Sequence, residues 1–109
     1  MKIKIYKPNF LSFIMNAREI IKKIETDRGE IKKMGVKKIG LFGSFAKNKQ
    51  NKKSDVDILV SFNEISFDNY MNLLFFLEKM FKRKVDLVIE SDLKPELKYV
   101  KKEAKYVKV

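Results

Sequence analysis

No cysteine, no histidine and no tryptophan occur in these 109 residues, and there are only four glycines and two prolines. Without thiols or imidazoles the chain has no disulfide staple, no cysteine nucleophile, no imidazole base and none of the usual zinc ligands. Any metal must be held by oxygen, which favours magnesium, manganese or calcium. Any general base must be a carboxylate, a lysine or a tyrosine. Long apolar runs are also missing, since nothing approaches the roughly 20 apolar residues of a spanning helix. Lys2, Lys4 and Lys7 precede an apolar run from Phe10 to Met15, with Ala17 beyond it. That run is broken by Ser12 and falls short of the about 7–15 residues of a signal-peptide core. The expectation is a soluble, cytoplasmic protein without membrane contact, and a cysteine-free chain suits a reducing compartment.

What is present is apolar mass and positive charge. A hydrophobic fraction of 45%, with nine phenylalanines, is enough for a core, and residues 1–109 read as a single domain. Lysine and arginine number 25 against 14 acids, a net charge of +11. Arginine stands only at positions 18, 28 and 83, so the charge is almost all lysine. Most of these lysines are simply solvated amines on outward faces. Their summed field still lowers the cost of bringing a phosphate or other polyanion close. No nucleic-acid recognition motif is visible, so contact with nucleic acid should be weak and salt-sensitive.

Apolar residues at 10, 13, 14, 17, 20, 21 and 24 recur at helical spacing and predict a first helix, part of an N-terminal helical extension over residues 1–25. Asp27 with Glu30 predicts a capping box for a second helix ending at Gly35. Val36 to Gly43 and Asp55 to Phe62 read as strands, the second apolar enough to be central and covered on both faces. Ser66 is placed to cap a helix from Phe67 to about Lys82, and Val85 to Ile89 reads as a third strand. In that helix Phe67, Tyr70, Leu74, Leu77 and Phe81 form one apolar stripe, and Leu73, Phe76 and Met80 a second. One stripe covers the sheet; the other is either more core or a partner surface. Pro95 suits the first turn of a last helix with Leu97, Val100 and Ala104 on its apolar face. The order predicts an α+β (or α/β) domain with a small mixed sheet.

One segment carries chemistry. Gly43 and Ser44 close the first strand, and Asp55 and Asp57 open the next. Side chains two apart in a strand share a face, so the two carboxylates point the same way. So placed, they can bracket metal ions about 3.5–4 Å apart, the separation used in two-metal phosphoryl chemistry. Asp86 interrupts the third strand and reaches the same cluster if that strand lies beside the second. The three acids would repel one another; divalent cations remove that cost. Gly43 allows close approach of a phosphate to the backbone, the Ser44 amide and hydroxyl would face it, and Lys47 would neutralise it. Singly, each feature has a simpler account: a turn, a solvated strand start, an edge charge, and, for Lys49, Lys52 and Lys53, a mobile loop. Together, in one strand–turn–loop–strand unit, they favour a site.

This segment resembles the nucleotidyltransferase superfamily that includes DNA polymerase β, whose signature is Gly-Ser, ten residues, Asp-x-Asp. Here Phe45 to Ser54 supplies the ten. The chain is most similar to minimal nucleotidyltransferase (MNT) domains. The likeness runs from about Ile31 to Val107 through GVKKIGLFGSFAK, SDVDILVSF, KVDLVIE and the LKPEL and EAKYV segments. The resemblance implies a polymerase-β-like palm fold. It implies that Gly43, Ser44 and Lys47 bind the triphosphate of ATP, and that Asp55, Asp57 and Asp86 ligate magnesium, as two ions, with Asp86 activating the attacking hydroxyl. It further implies an antitoxin that transfers AMP to a tyrosine of a partner HEPN ribonuclease toxin. The rivals are an antitoxin that acts by binding alone, and a nucleotidyltransferase for a small-molecule or nucleic-acid hydroxyl. Many such domains read Ala-Arg-Gly where this chain has Ala46-Lys47-Asn48, which exchanges a bidentate guanidinium for a point charge.

Overall fold

The computed structural model describes residues 15–109. Two helices come first, α1 (Ala17–Thr26) and α2 (Arg28–Lys33), followed by β1 (Val36–Phe42), a single-turn α3 (Gly43–Ala46) and β2 (Val56–Phe62). Then come α4 (Phe67–Phe81), β3 (Val85–Ile89), two 3₁₀ turns (Glu90–Asp92 and Pro95–Leu97), a short α5 (Val100–Glu103) and β4 (Lys105–Val107). The four strands form one mixed sheet in the order β3-β2-β1-β4. β1 runs antiparallel to both of its neighbours, whereas β2 and β3 are parallel, joined by the α4 crossover. The predicted α+β class with a small mixed sheet is the observed one.

Alternation sorts the sheet into two faces. Val36, Ile39, Leu41, Ile58, Val60, Val85 and Leu87 join Ala17, Ile20, Ile24, Ile31, Leu73, Leu77 and Phe81 in one core under α1, α2 and α4. Each fully buried aliphatic side chain there contributes about 1.5–3 kcal/mol. The other face carries Gly40, Asp57, Leu59, Asp86 and Tyr106. Leu59 is buried on this side as well, so β2 is covered on both faces as expected for a central strand.

Several boundaries differ from the expectations, each for a local reason. The first helix starts at Ala17 because Asn16 caps it: Asn16 Oδ1 accepts from the Glu19 amide at 2.9 Å and Glu19 Oε1 from the Asn16 amide at 3.0 Å. The capping box therefore sits at Asn16 and Glu19. Asp27 makes no side-chain cap: it is the C-cap of α1 as well as the N-cap position of α2, and its backbone is not extended there. Phe10, Phe13, Ile14 and the proposed extension before residue 15 lie outside the described residues. Ser66 caps α4 as predicted, accepting from the Asn69 amide at 3.0 Å.

The two stripes of α4 merge rather than separate. Leu73, Leu77 and Phe81 are buried, with Tyr70, Leu74, Phe76 and Met80 packed against the core beside them. Of its large apolar side chains α4 exposes Phe67 and Phe75, so the second stripe packs against the core while Phe67 of the first stands out from it. The single helix expected after Pro95 is also absent. Pro95–Leu97 makes one 3₁₀ turn, Ala104 is extended, and the chain re-enters the sheet as β4.

Candidate active site

Strand polarity builds the site. β2 and β3 both begin at the end of the sheet where β1 stops, so two strand starts and one strand exit meet there. In the register Asp57 faces Asp86 on one side and Phe42 on the other. Neighbouring strands lie about 4.8 Å apart, and residues paired in register point to the same face. Asp57 and Asp86 are therefore adjacent carboxylates. Asp55 precedes β2, which starts at Val56 rather than at Asp55 as predicted. It still lies close enough to act electrostatically on Asp57.

Asp57 registers all of this. Partial burial, then the Asp86 charge, then the Asp55 charge push its carboxyl from 3.8 up to about 6, against a hydrogen bond from the Ser44 backbone amide that pulls it down. One amide expected to face a phosphate is thus already engaged by Asp57. Gly43 has φ +72°, and a Cβ there would overlap the Asp57 carboxylate oxygen. No other residue can occupy position 43 with Asp57 where it is. Among the described residues, no group of three or more acidic side chains is drawn together tightly enough to hold a cation as it stands. A hard, all-oxygen donor set with a partly buried carboxylate under repulsion nevertheless fits a divalent cation such as magnesium.

Beside these acids runs a cleft of about 500 Å³. Gly43, Lys47 and Asp86 stand at its polar end, and Leu93, Leu97, Tyr99 and Val100 supply apolar wall. Lys47 is not poised over the turn alone: its Nζ lies 3.5 Å from Glu103 Oε1, with both side chains about half exposed. A larger open depression, about 690 Å³, is lined by charged residues of α1 with Asn48 and Lys105 and shares no residue with the carboxylate cluster. The smaller cleft is the one lined by Gly43 and Asp86.

The loop between Ser44 and Asp55 carries backbone hydrogen bonds of its own. Lys49 N donates to Ser44 O at 2.9 Å, Asn51 N to Ser54 Oγ at 2.9 Å and Lys53 N to Asn51 Oδ1 at 2.8 Å. Its lysines are exposed while its backbone is bonded. Sequence reasoning missed Arg83, Tyr99 and Glu103 altogether. For Arg83 the sequence offers only its rarity, as one of three arginines in a lysine-rich chain; that it alone of the three is partly buried is seen in the structure. Tyr70 was read as packing only. Its hydroxyl donates to Leu87 O at 2.6 Å, and burial together with the Asp86 charge raises its pKa above 10.0.

Comparison with known proteins agrees with this fold. A family model described as a nucleotidyltransferase domain matches residues 14–108. Protein adenylyltransferase MntA of Thermococcus cleftensis is 43% identical over 77 residues, which span 69% of this chain and 78% of that one. Among the sequence relatives, the aligned stretches cover 64% to 88% of the relatives' own lengths. A solved structure provisionally assigned as a minimal nucleotidyltransferase superposes with a TM-score of 0.73 at 29% identity, covering 84% of this chain and 95% of that one. A chain of the toxin–antitoxin complex MntA–HpeT, crystallised as a Y104A mutant, superposes with a TM-score of 0.60 at 26% identity, covering 85% and 72%. With its match over nearly all the described residues, its mixed sheet and its carboxylates at the shared strand end, the chain belongs to the nucleotidyltransferase domain family.

Proposed function

We propose that this chain is a protein adenylyltransferase that moves AMP from ATP to a tyrosine hydroxyl of a partner HEPN-type toxin, and so serves as its antitoxin. One observation carries the reading: Asp57 and Asp86 are paired in register, within reach of Asp55, with Asp57 resting on the Gly43–Ser44 turn. The named activity of the MntA relative and the toxin–antitoxin assembly of the MntA–HpeT structure support it.

The division of labour follows from position. Asp55, Asp57 and Asp86 would hold magnesium, as two ions once ATP brings its own oxygens. Bound magnesium screens the phosphate charge and stabilises the attacking and leaving oxygens. Gly43 leaves room for the Asp57 carboxylate beside the turn, and Ser44 offers its hydroxyl to the triphosphate. Lys47 exchanges Glu103 for phosphate oxygens. The apolar wall of Leu93, Leu97, Tyr99 and Val100 receives the nucleobase. The acceptor hydroxyl oxygen attacks the α-phosphorus and the bond to the β-phosphate bridge breaks. The hydroxyl proton passes to the exposed Asp86, and pyrophosphate leaves.

The test is incubation of wild type, Asp55→Asn and Asp57→Asn with labelled ATP, magnesium and the partner toxin. Transfer should fall by about two orders of magnitude or more in each variant, the scale seen when a transition-state contact is deleted. Label transfer by Asp57→Asn at the wild-type rate would sink the assignment. Toxin neutralisation that survives both substitutions and needs no ATP would establish the binding-only antitoxin instead.

A further inference from the structure

We propose that Arg83 is a positioning residue that sets the glycine–serine turn against the loop delivering Asp55. The inference rests on reading Ser44, Asp55, Asp57 and Asp86 as the nucleotidyl-transfer site. Its guanidinium reaches both halves of that site. Nη1 donates to Lys52 O at 3.1 Å and to Ser54 O at 2.9 Å, the second being the carbonyl immediately before Asp55. On the other side, Cζ lies 5.5 Å from the centre of the Phe45 ring. Phe45 is fully buried and directly follows Ser44. The hydrogen bonds at the Asn51–Ser54 end of the loop are internal, so they shape its turn without fixing where the turn lies. Gln50 ties the near end of the loop, its Nε2 donating to Met15 O at 3.0 Å, and Arg83 supplies the fixing at the far end from the turn between α4 and β3.

The backbone delivers Arg83 deliberately to this place. Lys82 ends α4 in the left-handed region with φ 52°, which reverses the chain at once. Glu78 then holds the reversal, its carbonyl accepting from Arg83 N at 3.4 Å and its Oε2 from Val85 N at 3.1 Å. Two residues on, β3 begins, and Asp86 follows. A single short turn thereby places both Asp86 and the guanidinium that holds Asp55's loop. A flat, five-donor head is needed for two carbonyls and a ring face at once; a lysine brings the charge without the plane.

The experiment uses the full chain as wild type, Arg83→Ala, Arg83→Lys and, as a surface control, Arg28→Ala. Backbone hydrogen exchange is read without nucleotide, alongside thermal unfolding and calorimetric binding of a non-hydrolysable ATP analogue with magnesium. In Arg83→Ala, exchange at residues 49–55 should rise about tenfold, as befits losing charge-assisted hydrogen bonds. Amides of 39–41 and 58–60 should stay protected and analogue affinity should fall by a similar factor. Arg83→Lys should lie between, and Arg28→Ala should match wild type. The proposal is overturned if residues 49–55 exchange as in wild type, or if the core strands lose protection equally, which would make Arg83 a general support of the fold. A wild type that binds no analogue would instead remove the nucleotide reading, and a loop still released by Arg83→Ala would show that the anchoring stands without it.

Discussion

Asp57 is the residue on which the site's energetics concentrate. Its folded pKa of about 6 lies above the ordinary 3.8, so the folded protein holds that proton more tightly than the unfolded chain does. Stability from this group is therefore fully present below about pH 4 and is lost as pH rises through about 6. Asp57→Asn fixes the neutral state. In metal-free buffer it should melt at a higher temperature than wild type above pH 6, with the gain shrinking toward nothing as pH falls to 4. Equal melting temperatures across pH 5–8 would mean that neither burial nor the neighbouring acids raise the Asp57 pKa. The same substitution is expected to abolish transfer, so stability and activity move in opposite directions at one position. Residues of this kind were legible in the chain. Asp55, Asp57 and Asp86 announce themselves because a charge inside an apolar strand needs a reason, and Gly43 because it closes one. Arg83, Tyr99 and Glu103 give no comparable local sign, since each acts on parts of the chain remote in sequence.

At the level of elements, the sequence read well wherever hydrophobic period and a cap agreed, as in α4, β2 and β3. It failed at the C-terminal stretch, where a helix was expected and two short turns and β4 were found. Local pattern there is overruled by a single tertiary fit. Tyr106 lays its ring over Gly40 on β1, where an added Cβ would stand 2.8 Å from Tyr106 Cδ1, and its hydroxyl donates to Glu90 Oε2 at 2.8 Å. Lys38 completes the arrangement, its Nζ 4.3 Å from the ring centre and 3.6 Å from Glu90 Oε2. The ring is held at both ends and cannot step aside cheaply. Gly40→Ala should therefore destabilise the protein by about 1–3 kcal/mol, the usual range for overpacking. Denaturant unfolding reads this directly, and a stability within about 0.5 kcal/mol of wild type, typical of a surface change, would contradict it.

Across the whole molecule, charge and shape point to different kinds of partner. The net charge of +11 is carried almost entirely by lysine, and the sequence shows no motif that reads bases. Binding to duplex DNA should be measurable at about 20 mM salt and lost by about 200 mM, as counterion release dictates. Retention of tight binding at the higher salt would reveal a nucleic-acid function. Among the described residues no helix is long and apolar enough to cross a membrane. Ile65, Phe67 and Phe75 are the large apolar side chains left exposed around α4, and that distribution was invisible beforehand because helical spacing alone cannot say which stripe meets the sheet.

The parallel pairing of β2 with β3 has a consequence for how this protein can vary. Because alternate side chains leave a strand in opposite directions, a one-residue slip of β3 would turn Asp86 toward the core and carry the buried Val85 and Leu87 out of it. The parity that buries the valine and the leucine is therefore the parity that sets Asp86 beside Asp57. The stretch from Lys47 to Ser54 carries no such parity, so insertions would be tolerated in it wherever Arg83 keeps its grip.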